Sequence, residues 1–319
     1  MKAALINDLS GLGRCSLVAD IAVLSAMGVT ACPMPTAVLS AQTAYPAFSR
    51  LDMTDGLPVY VDKWRAVGAR FDGILTGYMT GEEQAAIIKN FVSESLEENC
   101  RPEAAGQHAP FVLVDPVMGD DGRAYSNFTD GLCRQLKNLA AMADIITPNL
   151  TELWLLTDGP LTELRSAAPE ASEITRRARQ LLTGRCQTVA VTGIRRGEEI
   201  GSLIVTPGAK PHLFLALRCP QSFCGTGDVF AAIVFGGLLR GDAPDTVFEL
   251  AASFISEAAM SARQNGATAN DGIDYEKGLG KLIKAYMNTG LPPERRRGEL
   301  GLASAGMRSK LALGAWRVL

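Results

Sequence analysis

Short apolar runs rich in β-branched residues alternate along the chain with longer stretches whose apolar residues recur every three or four positions. The first pattern predicts strands buried on both faces and the second predicts amphipathic helices. Their alternation predicts an α/β fold, a mostly parallel central sheet with helices on both faces. Strands are expected near 2–6, 29–38, 72–76, 111–115, 144–147, 188–192, 201–206 and 211–217, and helices over 15–27, 80–96, 129–143, 170–184, 227–240 and 245–263. In the last helix Val247, Leu250, Ala251, Phe254, Ile255 and Ala258 share one face, and Asp242-Ala243-Pro244 marks its start, where a proline lacks no hydrogen bond that the helix needs. The helix from 227 differs. Val229, Phe230, Ala231, Ala232, Ile233, Val234, Phe235, Leu238 and Leu239 make it apolar nearly all round, the mark of a helix buried on every side.

Two stretches fall outside this rhythm. Residues 97–110 lack periodicity and are expected as a surface loop. Residues 290–319 follow the Pro292-Pro293 break, carry Arg295, Arg296, Arg297, Arg308, Lys310 and Arg317, and read as an appended basic tail, solvated or poorly ordered. One domain over 1–289 with that appendage is the expected organisation of the 319 residues. A hydrophobic content of 47% beside 20% charged residues is an ordinary globular balance, so disorder is not expected elsewhere. The net charge of -3 supplies no global basic field, so neither nucleic acid nor a membrane surface is an expected partner. Any phosphate must be handled by local structure. The apolar start, Met1 to Ile6, is too short for a signal-peptide core, and no run reaches the roughly 18 apolar residues of a membrane span, which points to the cytoplasm. Seven cysteines, without a C-x-x-C pair and with only two histidines in the chain, predict reduced thiols and not disulfides or a zinc site.

In open α/β sheets ligands bind beyond the carboxyl ends of the strands, so polar residues that close the apolar runs are the candidates for chemistry. Asp8 and Ser10 follow the first run, Thr43 lies beyond the second, Tyr78 follows the third, Asp115 the fourth, Asn149 and Glu152 the fifth and Thr192 the sixth. Singly, such residues are often helix caps. The most specific signal is Gly225-Thr226-Gly227-Asp228, directly before the buried helix. Two glycines let the backbone turn so that its N–H groups face one point at a helix N-terminus, a site for an anion, and Asp228 stands beside it as a candidate general base. Asp115-Pro116-Val117-Met118-Gly119-Asp120 and Thr147-Pro148-Asn149-Leu150-Thr151-Glu152 add oxygen donors of the kind magnesium takes. The second segment also fits a capping box, in which Asn149 and Glu152 serve a helix start.

Other nucleotide signatures fail. Gly11-Leu12-Gly13 lacks the third glycine of a dinucleotide fingerprint, Ser16 standing in its place, and no acidic residue closes the second strand. No G-x-x-x-x-G-K-[ST] loop occurs either. The order of the Gly-Thr-Gly-Asp helix start, the Asp-Pro-Val-Met-Gly-Asp loop, the Thr-Pro-Asn-Leu-Thr-Glu turn and Val191-Thr192-Gly193 resembles the vitamin-kinase branch of the ribokinase superfamily. The stretches Asn7 to Ser16 and Pro35 to Ser40 resemble its pyridoxal/pyridoxamine kinases, and the likeness spans about 3–288.

That resemblance implies a ribokinase-like fold and a kinase that uses ATP and Mg2+, with K+ left open, to phosphorylate the 5′-hydroxymethyl group of pyridoxal, pyridoxine or pyridoxamine in vitamin B6 salvage. It implies Asp228 as the base, with Gly225, Thr226 and Gly227 as the anion hole. Asp115, Asn149, Glu152 and Thr192 would face the ATP phosphates, with Asp115 and Glu152 holding Mg2+ through water. Asp120 and Tyr125 would close over the nucleotide, and Asp8, Ser10, Thr43 and Tyr78 would line the vitamer pocket. A homodimer is also implied. Asp8 departs from the animal and enterobacterial pyridoxal kinases, which carry serine there, so vitamer preference stays open. The alternatives are a hydroxymethylpyrimidine kinase of thiamine synthesis and a non-catalytic vitamin-binding relative, for which an aspartate beside an anion hole would have no use. Cys224 reads as packing.

Overall fold

Strand β1 (Lys2–Ser10) runs through the interior of the sheet, with β2 (Thr30–Leu39) on one side and β4 (Gly73–Thr76) on the other. The computed structural model describes residues 1–98, 108–166 and 168–288. Its other strands are β3 (Arg50–Asp52), β5 (Phe111–Val114), β6 (Gly119–Asp120), β7 (Arg123–Ala124), β8 (Ile145–Ile146), β9 (Thr188–Arg196), β10 (Glu199–Val205) and β11 (His212–Leu217). Nine strands form one sheet in the order β11-β10-β9-β8-β5-β4-β1-β2-β3, and β6 with β7 makes a separate hairpin. From β9 to β2 in that order every pair is parallel, while β10 and β11 at one edge and β3 at the other are antiparallel. This is the mostly parallel sheet, covered by helices on both faces, that the alternating pattern predicts.

The helices are α1 (Ser16–Ala26), α2 (Leu57–Ala66), α3 (Glu82–Glu98), α4 (Asp130–Ala140), α5 (Leu150–Leu156), α6 (Leu161–Ser166), α7 (Ala171–Gln180), α8 (Thr226–Leu239), α9 (Pro244–Gln264) and α10 (Leu279–Asn288). They cover both faces, because alternate strand residues point to opposite sides. On β1, Ala3 and Leu5 join the core built on α1, α8 and α9, while Ala4 and Ile6 join the core built on α2, α3, α4, α5 and α7. Helix α8 is apolar all round because it lies against the sheet with α1 and α9 packed over it.

Segment 39–60 contains more structure than its pattern announces, namely the exposed edge strand β3 and the first residues of α2. In the expected loop at 97–110, α3 runs on to Glu98 and residues 99–107 lie outside the described residues, as does the tail 290–319. Among the described residues no helix is long and apolar enough to cross a membrane. The six cysteines described are free, and Cys100 lies outside them.

Candidate active site

The parallel strands end in register, so their carboxyl ends deliver polar groups to one edge. The N–H of Gly77 bonds the carbonyl of Ile6, that of Asp115 bonds Thr76, and that of Thr147 bonds Val114. Asn7 and Asp8, Tyr78, Asp115 and Thr147 therefore emerge side by side, and the start of α8 closes over them. Gly225 caps α8 with φ 78, and a Cβ added there would collide with the carbonyl oxygen of Arg14, so both its conformation and its packing require glycine. The N–H groups of Thr226, Gly227 and Asp228 belong to the first turn, where no intrahelical acceptor exists and an anion is favoured.

Asp228 is held at fixed points. Its Oδ1 accepts a hydrogen bond from Asn7 Nδ2 at 3.1 Å, and the backbone N–H groups of Ser16 and of Asp228 itself favour its charged form. Ser16, with φ 52, occupies the left-handed region that costs a non-glycine residue about 1 kcal/mol. That strained turn sets its N–H to favour a charged Asp228 and its hydroxyl to favour a charged Asp8. Asp8 also accepts from Ser10 Oγ at 2.7 Å. Burial pushes Asp228 up to about 6, aided by the charge on Asp8 and opposed by the Ser16 and Asn7 donors. Asp115 is pushed up to about 7 by burial and by Asp228, against a 2.8 Å hydrogen bond from Thr147 Oγ1.

Three residues that the strand-end pattern does not single out complete this cluster. Asn7 bridges Asp228 to Asp20, whose Oδ2 accepts from Asn7 Nδ2 at 3.0 Å. Asp20 is buried, and burial holds its carboxyl well above the usual carboxylate range. Its signal in the sequence was a lone carboxylate in the apolar helix Ser16–Ala26. Arg50 is the third, its guanidinium at the start of β3 acting on the half-buried Tyr78 phenol and opposing the upward push of burial.

The remaining candidates divide. Asn149 and Glu152 form the capping box of α5, with Glu152 N–H bonding Asn149 Oδ1 at 3.0 Å and Asn149 N–H bonding Glu152 Oε2 at 2.8 Å. Asn149 Nδ2 also donates to Gly119 O, and Met118 N–H donates to Glu152 Oε1. Their polar atoms thus fasten the β6–β7 hairpin, whose tight turn Asp121-Gly122 (φ 46 and 71) suits an Asp-Gly pair. On that hairpin arm Asp120 is exposed and accepts from Asp121 N–H, and Tyr125 is 43% exposed. Thr192, half-buried, ends the parallel part of β9 and bridges to Asn149. Thr43 is exposed in its turn, which sends its neighbour Gln42 inward instead. Gln42 Nε2 donates to Asn270 O at 3.3 Å and lies 3.4 Å from Cys224 Sγ. Burial pushes the Cys224 thiol up, away from thiolate chemistry.

A hard cation fits this edge. The second carboxylate oxygen of Asp115 faces Gly227, where an added Cβ would stand 4.0 Å from it. Among the described residues no group of three His, Cys, Asp or Glu side chains could enclose a metal. A carboxylate oxygen of this kind is a donor that suits magnesium, which keeps waters and shares substrate phosphates.

Residues 13–272 match the family model described as phosphomethylpyrimidine kinase. A pyridoxine/pyridoxal/pyridoxamine kinase of Bordetella avium is 29% identical over 241 residues, covering 72% of this chain and 75% of the relative. A pyridoxal kinase of Corynebacterium diphtheriae is 30% identical over 244 residues, covering 72% and 78%. Among solved structures, a Bacteroides thetaiotaomicron protein assigned as a phosphomethylpyrimidine kinase, crystallised with pyridoxal, superposes with a TM-score of 0.78 at 34% identity, covering 88% of this chain and 95% of the other. A pyridoxal kinase from Lactobacillus plantarum gives 0.77 at 27% identity, covering 90% and 97%.

Proposed function

Since the chain belongs to the phosphomethylpyrimidine kinase family, we propose that it transfers the γ-phosphoryl group of ATP to the 5′-hydroxymethyl oxygen of a B6 vitamer, giving the 5′-phosphate. The observation that carries this reading is the placement of the Asp228 carboxylate in the first turn of the buried helix α8, at the ends of β1, β4 and β5. With a pKa near 6, Asp228 is ionised at neutral pH and can take the proton of an alcohol as the bond to phosphorus forms. Such help is typically worth about 10²- to 10⁴-fold. The α8 amides stabilise charge on the transferred group, while positioning supplies much of the rest. Asp115 would hold Mg2+, with Glu152 acting through water; when bound, the ion neutralises charge on the phosphates. Asp8, Ser10 and Tyr78, joined by Arg50 and Gln42, would line the vitamer pocket. Asp120 and Tyr125 on the hairpin arm, with Thr192, would border the nucleotide.

Pyrimidine phosphorylation is the second reading, favoured by the description of the family model. Pyridoxal in the Bacteroides relative and the names of the Bordetella and Corynebacterium relatives favour the vitamer. The test is a turnover panel of pyridoxal, pyridoxine, pyridoxamine and hydroxymethylpyrimidine with ATP and Mg2+. Turnover of at least one vitamer above the pyrimidine is expected, and the reverse order would shift the assignment to thiamine synthesis. The same reading takes the protein as a cytoplasmic homodimer, which sedimentation at micromolar concentration would check.

A further inference from the structure

Asn7 has no part in the chemistry just described, yet its side chain is the most fully engaged in the site. An amide offers two donor hydrogens and two acceptor lone pairs, and all four are used. Nδ2 donates to Asp228 Oδ1 at 3.1 Å and to Asp20 Oδ2 at 3.0 Å, while Oδ1 accepts from the backbone N–H groups of Asp8 at 3.0 Å and Tyr78 at 2.8 Å. Two carboxylates on one end and two N–H groups on the other permit a single orientation, since flipping the amide would set oxygen against oxygen. Gly77 packs directly on it. A Cβ there would lie 2.6 Å from Asn7 Cγ and Nδ2, although Gly77 is not in the left-handed region, so this contact and not backbone conformation calls for glycine.

Asp20 is the odd member. It is 1% exposed, it is the sole charged residue of α1, and its Oδ1 has no hydrogen-bond partner. A carboxyl group in that position is costly, and its recorded hydrogen bond goes to Asn7. We propose that Asp20 and Asn7 are positioning residues for phosphoryl transfer. Asp20 fixes the Asn7 amide, and Asn7 in turn holds the Asp228 carboxylate and ties it to the backbone of Asp8 and Tyr78, the walls of the vitamer pocket. The inference rests on the kinase reading above and deepens it. Seating the alcohol between Asp8 and Tyr78 would thereby set its distance from the base.

The experiment compares steady-state kinetics, per folded molecule by circular dichroism, of wild type, Asn7→Ala, Gly77→Ala, Asp20→Leu and Asp20→Asn. Loss of the Asn7 hold on the Asp228 carboxylate, by removal of the amide in Asn7→Ala or its displacement by the new Cβ in Gly77→Ala, predicts a kcat about 10- to 100-fold lower, with vitamer KM within about threefold. Asp20→Leu, which leaves an amide hydrogen of Asn7 unmatched, falls in the same direction. Asp20→Asn, which keeps an oxygen acceptor there, recovers most of the loss. Should Asp20→Leu fail to fold, the Asn7→Ala and Gly77→Ala pair decides. Unchanged kcat in folded Asn7→Ala, or a loss confined to KM, would overturn the positioning role while leaving the kinase reading intact. A wild type inert towards every vitamer and the pyrimidine would remove the reading and the inference together.

Discussion

Asn7 Nδ2 and Asp228 Oδ1 stand 3.1 Å apart although 221 positions separate them in the chain. That bond joins the first strand to the start of α8 and brings the two halves of the site into register. In the proposed reading the vitamer pocket grows from β1 and β4, and the anion hole grows from α8. Asp228, the proposed base, sits where they meet, so the geometry of the site depends on packing across the sheet and not on any one loop.

Gly225→Ala should damage stability and turnover together. The substitution places a Cβ against the Arg14 carbonyl and forces alanine into φ 78. Conflict of this kind costs upwards of about 1 kcal/mol from the backbone alone, with the collision added. Thermal unfolding should show a Tm lower by several degrees and kcat should fall at least tenfold. A variant with wild-type Tm and kcat would show that this turn is not needed.

The raised carboxylates give stability a definite pH dependence. Asp115, pushed up from 3.8 to about 7, binds a proton in the folded chain that the unfolded chain releases. Its contribution is therefore fully present below about pH 4 and is lost as pH rises through 7, with a limiting slope of about 1.4 kcal/mol per pH unit. Asp115→Asn removes that loss. Calorimetry without ATP or Mg2+ should find the Tm of the variant rising relative to wild type between pH 5 and 8, and a constant gap would refute the assignment.

Residues 290–319 lie outside the matched family region, which ends at 272, and carry none of the site residues. Deleting them should leave kcat and KM within about twofold. Loss of turnover in a folded truncation would show that the kinase domain extends past 289.

The sheet and the two faces of helices were legible because buried strands and amphipathic helices impose periods that a sequence displays directly. Strand β3 was not, since all three of its residues are exposed and it has no apolar face to announce it. Helix α2 was hidden for a related reason, as only Leu57 and Val61 of its ten residues are buried. At the site, the run of Gly225 to Asp228 was readable because glycine conformation, helix start and carboxylate are all local. The link from Asp228 through Asn7 to Asp20 is not local, and only the lone carboxylate of α1 hinted at it. Thr43 and Gln42 illustrate a different limit, because the turn decides which of two adjacent polar residues faces inward. For Asn149 and Glu152, capping and phosphate-binding would use the same atoms, and in the structure those atoms are engaged in the cap and the hairpin.

The central claim is that Asp228 takes a proton during phosphoryl transfer, and Asp228→Asn tests it most directly. Asparagine keeps the shape but cannot accept that proton. Assayed with ATP, Mg2+ and the best vitamer at pH 7.5, the variant should lose about 10²- to 10⁴-fold in kcat with KM within a few-fold of wild type. A folded Asp228→Asn protein with undiminished kcat would contradict the account.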